Sequence, residues 1–269
     1  MPIFNSSIPI PMVILYFIYE ICIFLPIFLI LTILTSLVTY VGCMVGLGKF
    51  MGFWPGVFWS KITCYLALCP YKVVGREKLD PKTSYVFVAN HQGAFDIFLL
   101  YAALGQPFRW MLRKGIRKLP FVGPACDKAG HIWVDERGAS GMMHTIRQAM
   151  QTLKGGTSII VFPEGTRTRN GHLGRFKKGA FTLAAMLRMP VVPITIEGPY
   201  KIMKKGSLLI HWHRIKLTIH DPLPAVTRTE GNDAGVERLL YSSQEVIAKS
   251  LNEPVMKRPE KVVNQEIAR

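Results

Sequence analysis

The chain reads as an α/β protein, a mostly parallel central sheet flanked by helices, with an N-terminal hydrophobic helical membrane segment. Three observations carry that reading. Ile21 to Gly48 is a run of 28 residues with no charged side chain. Beyond residue 70, short β-branched or aromatic runs alternate with stretches of helical spacing, as expected for strands covered on both faces. Two of those runs stop abruptly at a polar cluster and a turn: Val86–Ala89 before Asn90-His91, and Ser158–Phe162 before Pro163-Glu164.

The leader comes first. A helix needs about 20 apolar residues to cross a bilayer, so Ile21–Gly48 is long enough, with Pro26 and the Gly42/Gly46/Gly48 cluster as breaks. No basic region precedes it, which argues against a cleaved signal peptide. A second apolar segment, Phe50 to Cys69, carries Phe53, Trp54, Phe58, Trp59 and Tyr65, aromatics suited to the headgroup boundary. Two geometries stay open: one span followed by an interfacial helix, or a helix pair dipping into one leaflet. Residues 1–70 are thus expected to anchor, 71–253 to form the α/β domain, and 254–269 to be a charged tail.

Within that domain the expected strands are Tyr71–Gly75, Ser84–Ala89, Phe108–Leu112, His131–Val134, Ser158–Phe162 and Val191–Ile196. Leu208–Ile210 and Ile215–Ile219 are expected to pair as an antiparallel hairpin. Helical spacing covers Ala94–Leu104, Ser140–Leu153, Lys177–Leu187 and Gly235–Leu251, with Gly155-Gly156 as a turn and a chain break at Leu119–Pro124.

Charge is uneven. Residues 1–60 carry only Glu20 and Lys49, so the net +16 of the 269-residue chain belongs to the remainder. That balance suits an anionic partner, whether membrane surface, phosphorylated substrate or nucleic acid. The five cysteines form no Cys-x-x-Cys pair and lie mostly in or beside the leader, which fits a reducing compartment. There is no Gly-x-Ser-x-Gly elbow and no phosphate-loop motif. His211 and His213 read as surface residues rather than metal ligands.

His91 and Asp96 are the candidate catalytic pair. A spacing of five puts two residues about 140° apart on a continuous helix, so they meet only if His91 lies in the turn and Asp96 on the helix after it. The carboxylate then fixes the tautomer and leaves the other ring nitrogen free to take a proton; the alternative is two unrelated solvated side chains. Glu164, Gly165, Thr166 and Arg167 follow the later strand, and Arg167 offers a planar fork for phosphate. Arg169, Arg175, Lys177 and Lys178 follow closely.

Together, Asn90-His91-x4-Asp96 and Phe162-Pro163-Glu164-Gly165-Thr166-Arg167 resemble the glycerolipid acyltransferase family that includes the 1-acylglycerol-3-phosphate acyltransferases. Gly130–Asp135 and Val191–Ile194 resemble two further blocks of that family, and the likeness covers roughly residues 70 to 220. The resemblance implies acyl transfer from a thioester, acyl-CoA or acyl-acyl carrier protein, to the sn-2 hydroxyl of lysophosphatidic acid. It implies no resident cofactor or metal, membrane lipid rather than nucleic acid as partner, and the cytoplasmic face of a bacterial inner membrane. His91 is then the base and Asp96 its partner, Glu164 orients the acceptor, Arg167 holds its phosphate, and backbone N–H groups near Gly165 meet the oxyanion.

The sequence departs from the family pattern at two places. Arg113 stands where a Lys is common, with Lys114 next, and either completes the phosphate clamp. Glu136 separates Asp135 from Arg137, which displaces Arg137. Glycerol-3-phosphate or another lysolipid as acceptor is the alternative within the family. A non-enzymatic basic protein binding anionic membranes is the alternative outside it.

Overall fold

Val86, Phe87, Val88 and Ala89 are all fully buried, and alternate side chains feed different cores. Phe87 and Ala89 join one apolar cluster, Val86 and Val88 another, as the two-residue period of a strand covered on both faces requires. In the computed structural model, which describes residues 10–135, 137–153, 157–207 and 209–255, this strand is the centre of a seven-stranded sheet.

The strands are β1 (Tyr71–Val74), β2 (Val86–Ala89), β3 (Phe108–Arg113), β4 (Ile132–Val134), β5 (Ser158–Val161), β6 (Val191–Glu197) and β7 (Ile215–Ile219). Their spatial order is β1-β7-β6-β2-β5-β3-β4. All neighbours are parallel except β6 and β7, where Ile194 opposes Ile219. The fold class is therefore as the alternation predicts.

The hairpin expected from Leu208–Ile210 is a correction. Leu208 lies outside the described residues, residues 209–214 are irregular, and β7 pairs with β6 and β1 instead. Ile210 turns inward onto the first core, and its N–H meets the Glu20 carboxylate. Gly155-Gly156 and residues 256–269 of the expected tail also lie outside the described residues.

The helices divide between the faces. One face carries α5 (Phe95–Ala103), covered in turn by α4 (Trp54–Leu66). Trp59 meets Phe98 edge to face with ring centroids 4.8 Å apart. The other face carries α8 (Gly179–Leu187) and α10 (Asn232–Ser250), whose Phe181, Ala184, Leu239 and Ile247 close over Val86 and Val88. α7 (Gly138–Thr152) covers Ile132 and Ile159 through Ile146 and Ala149.

The leader is one long helix. α1 (Ile10–Tyr19) runs through a π-helical turn, Glu20–Phe24, into α2 (Leu25–Met44). Pro26 does not break it. Proline removes an N–H and crowds the carbonyl four residues back, and the preceding π turn, in which Leu25 N–H reaches Glu20 O, takes up the mismatch. The helix ends only where Gly46 adopts φ +90°. Pro11–Met44 is long and apolar enough to cross a membrane.

Polar ties nevertheless run along this helix to the rest of the chain. Tyr16 and Tyr19 hydroxyls donate to Ala67 O (3.2 Å) and Leu66 O (2.8 Å), and Trp59 Nε1 donates to Thr32 Oγ1 at 3.0 Å. Beyond it, α3 (Gly48–Met51) is fastened by buried Arg109, which donates to Gly52 O (3.2 Å) and Gly48 O (3.4 Å). Sequence reading also misses α6 (Val122–Lys128), because Pro124 looks like a break. It sits in the first turn, where a missing N–H costs nothing.

Buried His131 adds a pH liability to this scaffold. Its Nδ1 accepts the Trp110 backbone N–H at 3.3 Å, so in the neutral ring Nε2 carries the proton and faces the Tyr101 hydroxyl, also 3.3 Å away. Burial, aided by the Arg109 charge, pushes its pKa from 6.5 down to about 3. The unfolded chain then binds a proton that the folded chain refuses, so stability present above pH 6.5 is lost as the pH falls toward 3. The expected slope is about 1.4 kcal/mol per pH unit across that window. Unfolding free energy against pH, compared between the native chain and His131→Gln, checks it; identical slopes would remove His131 as the cause.

Candidate functional site

The C-terminal ends of β2, β3, β4 and β5 open on one cavity of about 870 Å³, where ligands bind in open α/β sheets. Its walls include His91, Arg113, Asp135, Phe162 and Gly165 from the sheet rim. α2 closes it with Thr32, Thr35, Ser36 and Thr39, a polar stripe at helical spacing. The remaining surface is mostly apolar, from Tyr101, Trp110, Leu112, Ala125 and similar side chains.

His91 stands in the turn after β2 and Asp96 in the first turn of α5. Their spacing of five therefore brings them face to face: His91 Nδ1 and Asp96 Oδ2 are 2.6 Å apart. Gly93 makes the tight turn possible, since a Cβ there would lie 2.7 Å from Pro199 O. Its N–H also donates to Asp96 Oδ2 at 3.0 Å. Burial pushes the Asp96 carboxyl up, and the bonds from His91 and Gly93 act against it. Phe162 stacks flat under the imidazole, 3.9 Å between centroids and 8° from parallel, with Trp110 stacked behind at 5.7 Å. The ring is thus fixed by a carboxylate at its edge and an aromatic pile at its face.

The second block wraps around the first. Glu164 is buried and uses both oxygens on backbone: Oε1 accepts His91 N–H at 2.8 Å, Oε2 accepts Gly174 N–H at 2.9 Å. Burial raises its pKa, opposed by those two bonds. Thr168 N–H donates to His91 O at 2.9 Å. Asn90 clasps β6, giving its Nδ2 to Ile196 O at 2.9 Å and taking Ile196 N–H at 2.8 Å. Gly165 turns at φ +73°, and its N–H is spent on Phe162 O at 3.0 Å. That bond takes this amide away from the oxyanion role expected near Gly165.

The basic residues divide. Arg113 donates to Gly165 O at the main cavity, beside Lys177. Lys114 pairs with Asp135 of the cavity wall at 3.2 Å, together with Arg137 at 2.6 Å; these two cations, Arg137 foremost, hold the Asp135 carboxyl well below the usual range. Glu136 lies outside the described residues. Lys178 pairs with Glu237 on α10 at 2.9 Å. Thr166 is exposed and accepts Lys205 Nζ at 2.7 Å. Arg167 lines a second cavity of about 410 Å³ with Arg169, Arg175, Lys205 and Glu164. Segment 163–168 is therefore a partition, with an apolar chamber on one side and a basic one on the other.

Sequence reasoning assigns no role to Phe162, Trp110, Gly174 or Lys205. Phe162 alone carries a signal, as the last apolar residue of its strand run.

Comparison with known proteins bears on the fold and the family of the chain. An acyltransferase family model matches residues 70–197. Just under half of the chain, residues 70–197, is thus similar to the acyltransferase family. A chloroplastic 1-acyl-sn-glycerol-3-phosphate acyltransferase of Brassica napus is 37% identical over 171 residues, 62% of this chain and 49% of the relative. A 1-acyl-sn-glycerol-3-phosphate acyltransferase of Borreliella burgdorferi is 28% identical over 160 residues, 57% of this chain and 64% of that one. The chain thus spans about half the length of the plant relative. The crystal structure of the 1-acyl-sn-glycerophosphate acyltransferase PlsC from Thermotoga maritima superposes with a TM-score of 0.60. That match covers 85% of this chain and 98% of PlsC at 24% identity, a likeness of fold.

Proposed function

We propose that this chain moves a fatty acyl group from an acyl thioester to the sn-2 hydroxyl of 1-acylglycerol-3-phosphate, giving phosphatidic acid. The observation that carries it is the His91–Asp96 pair, 2.6 Å apart, at the wall between an apolar and a basic chamber. An alcohol ionises far above neutral pH and needs a base as it attacks. His91 Nε2 takes the hydroxyl proton, and Asp96 stabilises the imidazolium through Nδ1. The oxygen adds to the thioester carbonyl, the tetrahedral intermediate collapses, and the departing thiolate recovers the proton from His91. No acyl-enzyme is needed. Cys126 lines the apolar chamber, but burial pushes its thiol up to about 12, which denies it a thiolate at neutral pH.

Arg167 and the basic chamber suit the acceptor phosphate, and Arg113, tied to Gly165, stands on the apolar side. Glu164, with both oxygens on backbone N–H groups, acts as a positioning residue. Acyl-CoA and acyl-acyl carrier protein both present the thioester this chemistry requires. A spanning leader would place the domain on the cytoplasmic face of the membrane, because Lys49, Lys61 and the basic region follow it. Ties from Tyr16 to Thr32 hold the long helix against the rest of the chain and favour the one-leaflet geometry over a projecting span.

Purified protein offered lysophosphatidate, glycerol 3-phosphate and other lysolipids in competition tests the reading. Preferred acylation of lysophosphatidate is expected, and failure to acylate it while another acceptor reacts would replace the substrate. Arg167→Ala is expected to raise the acceptor KM about 10–100-fold with a smaller change in kcat, the loss of a charge-assisted phosphate contact. An unchanged KM would remove the phosphate from the second chamber.

A further inference from the structure

Residues 198–214, from α9 (Pro199–Ile202) to β7, contain Lys201, Lys204, Lys205 and Arg214 and no carboxylate. None of these four cations forms an ion pair with a described residue; Lys204 lies over the Tyr200 ring at 5.5 Å. Leu209 and Trp212 are 45% and 48% exposed, an unusual outlay of apolar surface on an irregular segment. Their neighbour Ile210 points the other way, into the core, and its N–H meets Glu20 of the leader. The segment is thereby tied to the leader at Glu20, where Ile14, Phe17 and Ile18 of α1 and Ile21 of the π turn are exposed. At its other end the segment is wired to the partition: Lys205 Nζ donates to Thr166 Oγ1 at 2.7 Å, and the Tyr200 hydroxyl donates to Arg169 O at 3.1 Å.

We propose that Lys201, Lys204, Leu209, Trp212 and Arg214 form a membrane-docking element, separate from the leader helix, that seats Leu209 and Trp212 in the headgroup layer of an anionic bilayer and transmits that docking to the catalytic loop around Thr166 and Arg169. An amphipathic indole beside clustered lysines is the residue pattern that anionic headgroups recognise. Continuity with the exposed apolar side of the leader favours a lipid surface over an acidic protein. Docking would steady the segment that holds Thr166 and the Arg169 carbonyl, so that the basic chamber is completed where its lipid substrate resides. The inference rests on the proposed membrane-bound acyl transfer for its activity readout, and on nothing but the lipid for its spectroscopic one.

The full chain reconstituted into vesicles of phosphatidylcholine, with and without phosphatidylglycerol, tests it. The emission of Trp212, obtained by difference from Trp212→Phe, is expected to shift blue and to be quenched by headgroup-proximal brominated lipid only when phosphatidylglycerol is present. Lys201→Gln and Arg214→Gln are each expected to cost about fivefold in turnover of vesicle-borne acceptor, and to leave turnover of a short-chain, water-soluble acceptor in neutral detergent unchanged. Trp212 emission that ignores both lipids overturns the proposal. So does a shift produced by acidic carrier protein and not by phosphatidylglycerol, or an equal loss on both acceptors. Should the native chain acylate neither acceptor, the proposed function falls, and Trp212 quenching still decides the docking by itself.

Discussion

His91→Ala is expected to lower kcat by about 10²–10⁴-fold, the contribution of a positioned general base, with the leader helix and membrane association intact. The site is already assembled around the ring rather than by it. Phe162 and Trp110 form their own stack, Asp96 is also held by Gly93 N–H, and the turn is tied down through the His91 backbone by Glu164 and Thr168. Alanine keeps all of those backbone bonds and removes only the imidazole. Asp96→Asn separates orientation from charge. An amide oxygen can still accept from His91 and Gly93, but the negative charge opposing the imidazolium is gone. Its expected signature is a loss in kcat of about 10²-fold with acceptor KM unchanged. Steady-state kinetics on lysophosphatidate and a thioester donor check both. A His91→Ala enzyme within a few-fold of the native rate would end the general-base reading, as would a non-enzymatic protein that never turned over.

Much of this was legible because buried parallel strands write themselves as continuous apolar runs. Val86–Ala89, Ser158–Val161 and Val191–Glu197 have no solvent face to interrupt them, so both their position and the polar residues at their ends stand out. His91, Asp96 and Glu164 are therefore visible in sequence, and the turn geometry explains why a spacing wrong for a helix brings the first two together. Order across the sheet is not written in spacing. β7 inserts between β6, to which it is antiparallel, and β1, to which it is parallel, because of where the irregular stretch 209–214 carries the chain, and a short apolar run cannot announce its partner. Local breakers also mislead. Pro26 is absorbed by the π turn over Glu20–Phe24 just ahead of it, and Pro124 sits where α6 needs no N–H. The carboxylate of Glu164 misleads differently: sequence shows its charge but not that two backbone N–H groups consume both oxygens.

That last contact sets the second large expectation. Glu164→Gln is expected to lower kcat about 10²-fold while leaving acceptor KM nearly unchanged. Oε1 and Oε2 each face an N–H donor, at 2.8 Å from His91 and 2.9 Å from Gly174, in a site only 8% exposed. Glutamine has one oxygen and one NH₂ group, so in either flip a donor confronts a donor. An unsatisfied buried donor costs about 1–3 kcal/mol, and the cheapest relief is for the His91 turn or the Gly174 strand of loop to move apart. With the NH₂ group turned toward His91 N–H, that displacement falls on the turn that carries the imidazole. A shift of about 1 Å in a catalytic group is enough for the expected loss. If Glu164 instead touched the acceptor, as the family resemblance implies, the same substitution would raise KM and spare kcat. Measuring the two constants separately on Glu164→Gln therefore decides whether this carboxylate holds the substrate or holds the histidine that attacks on its behalf.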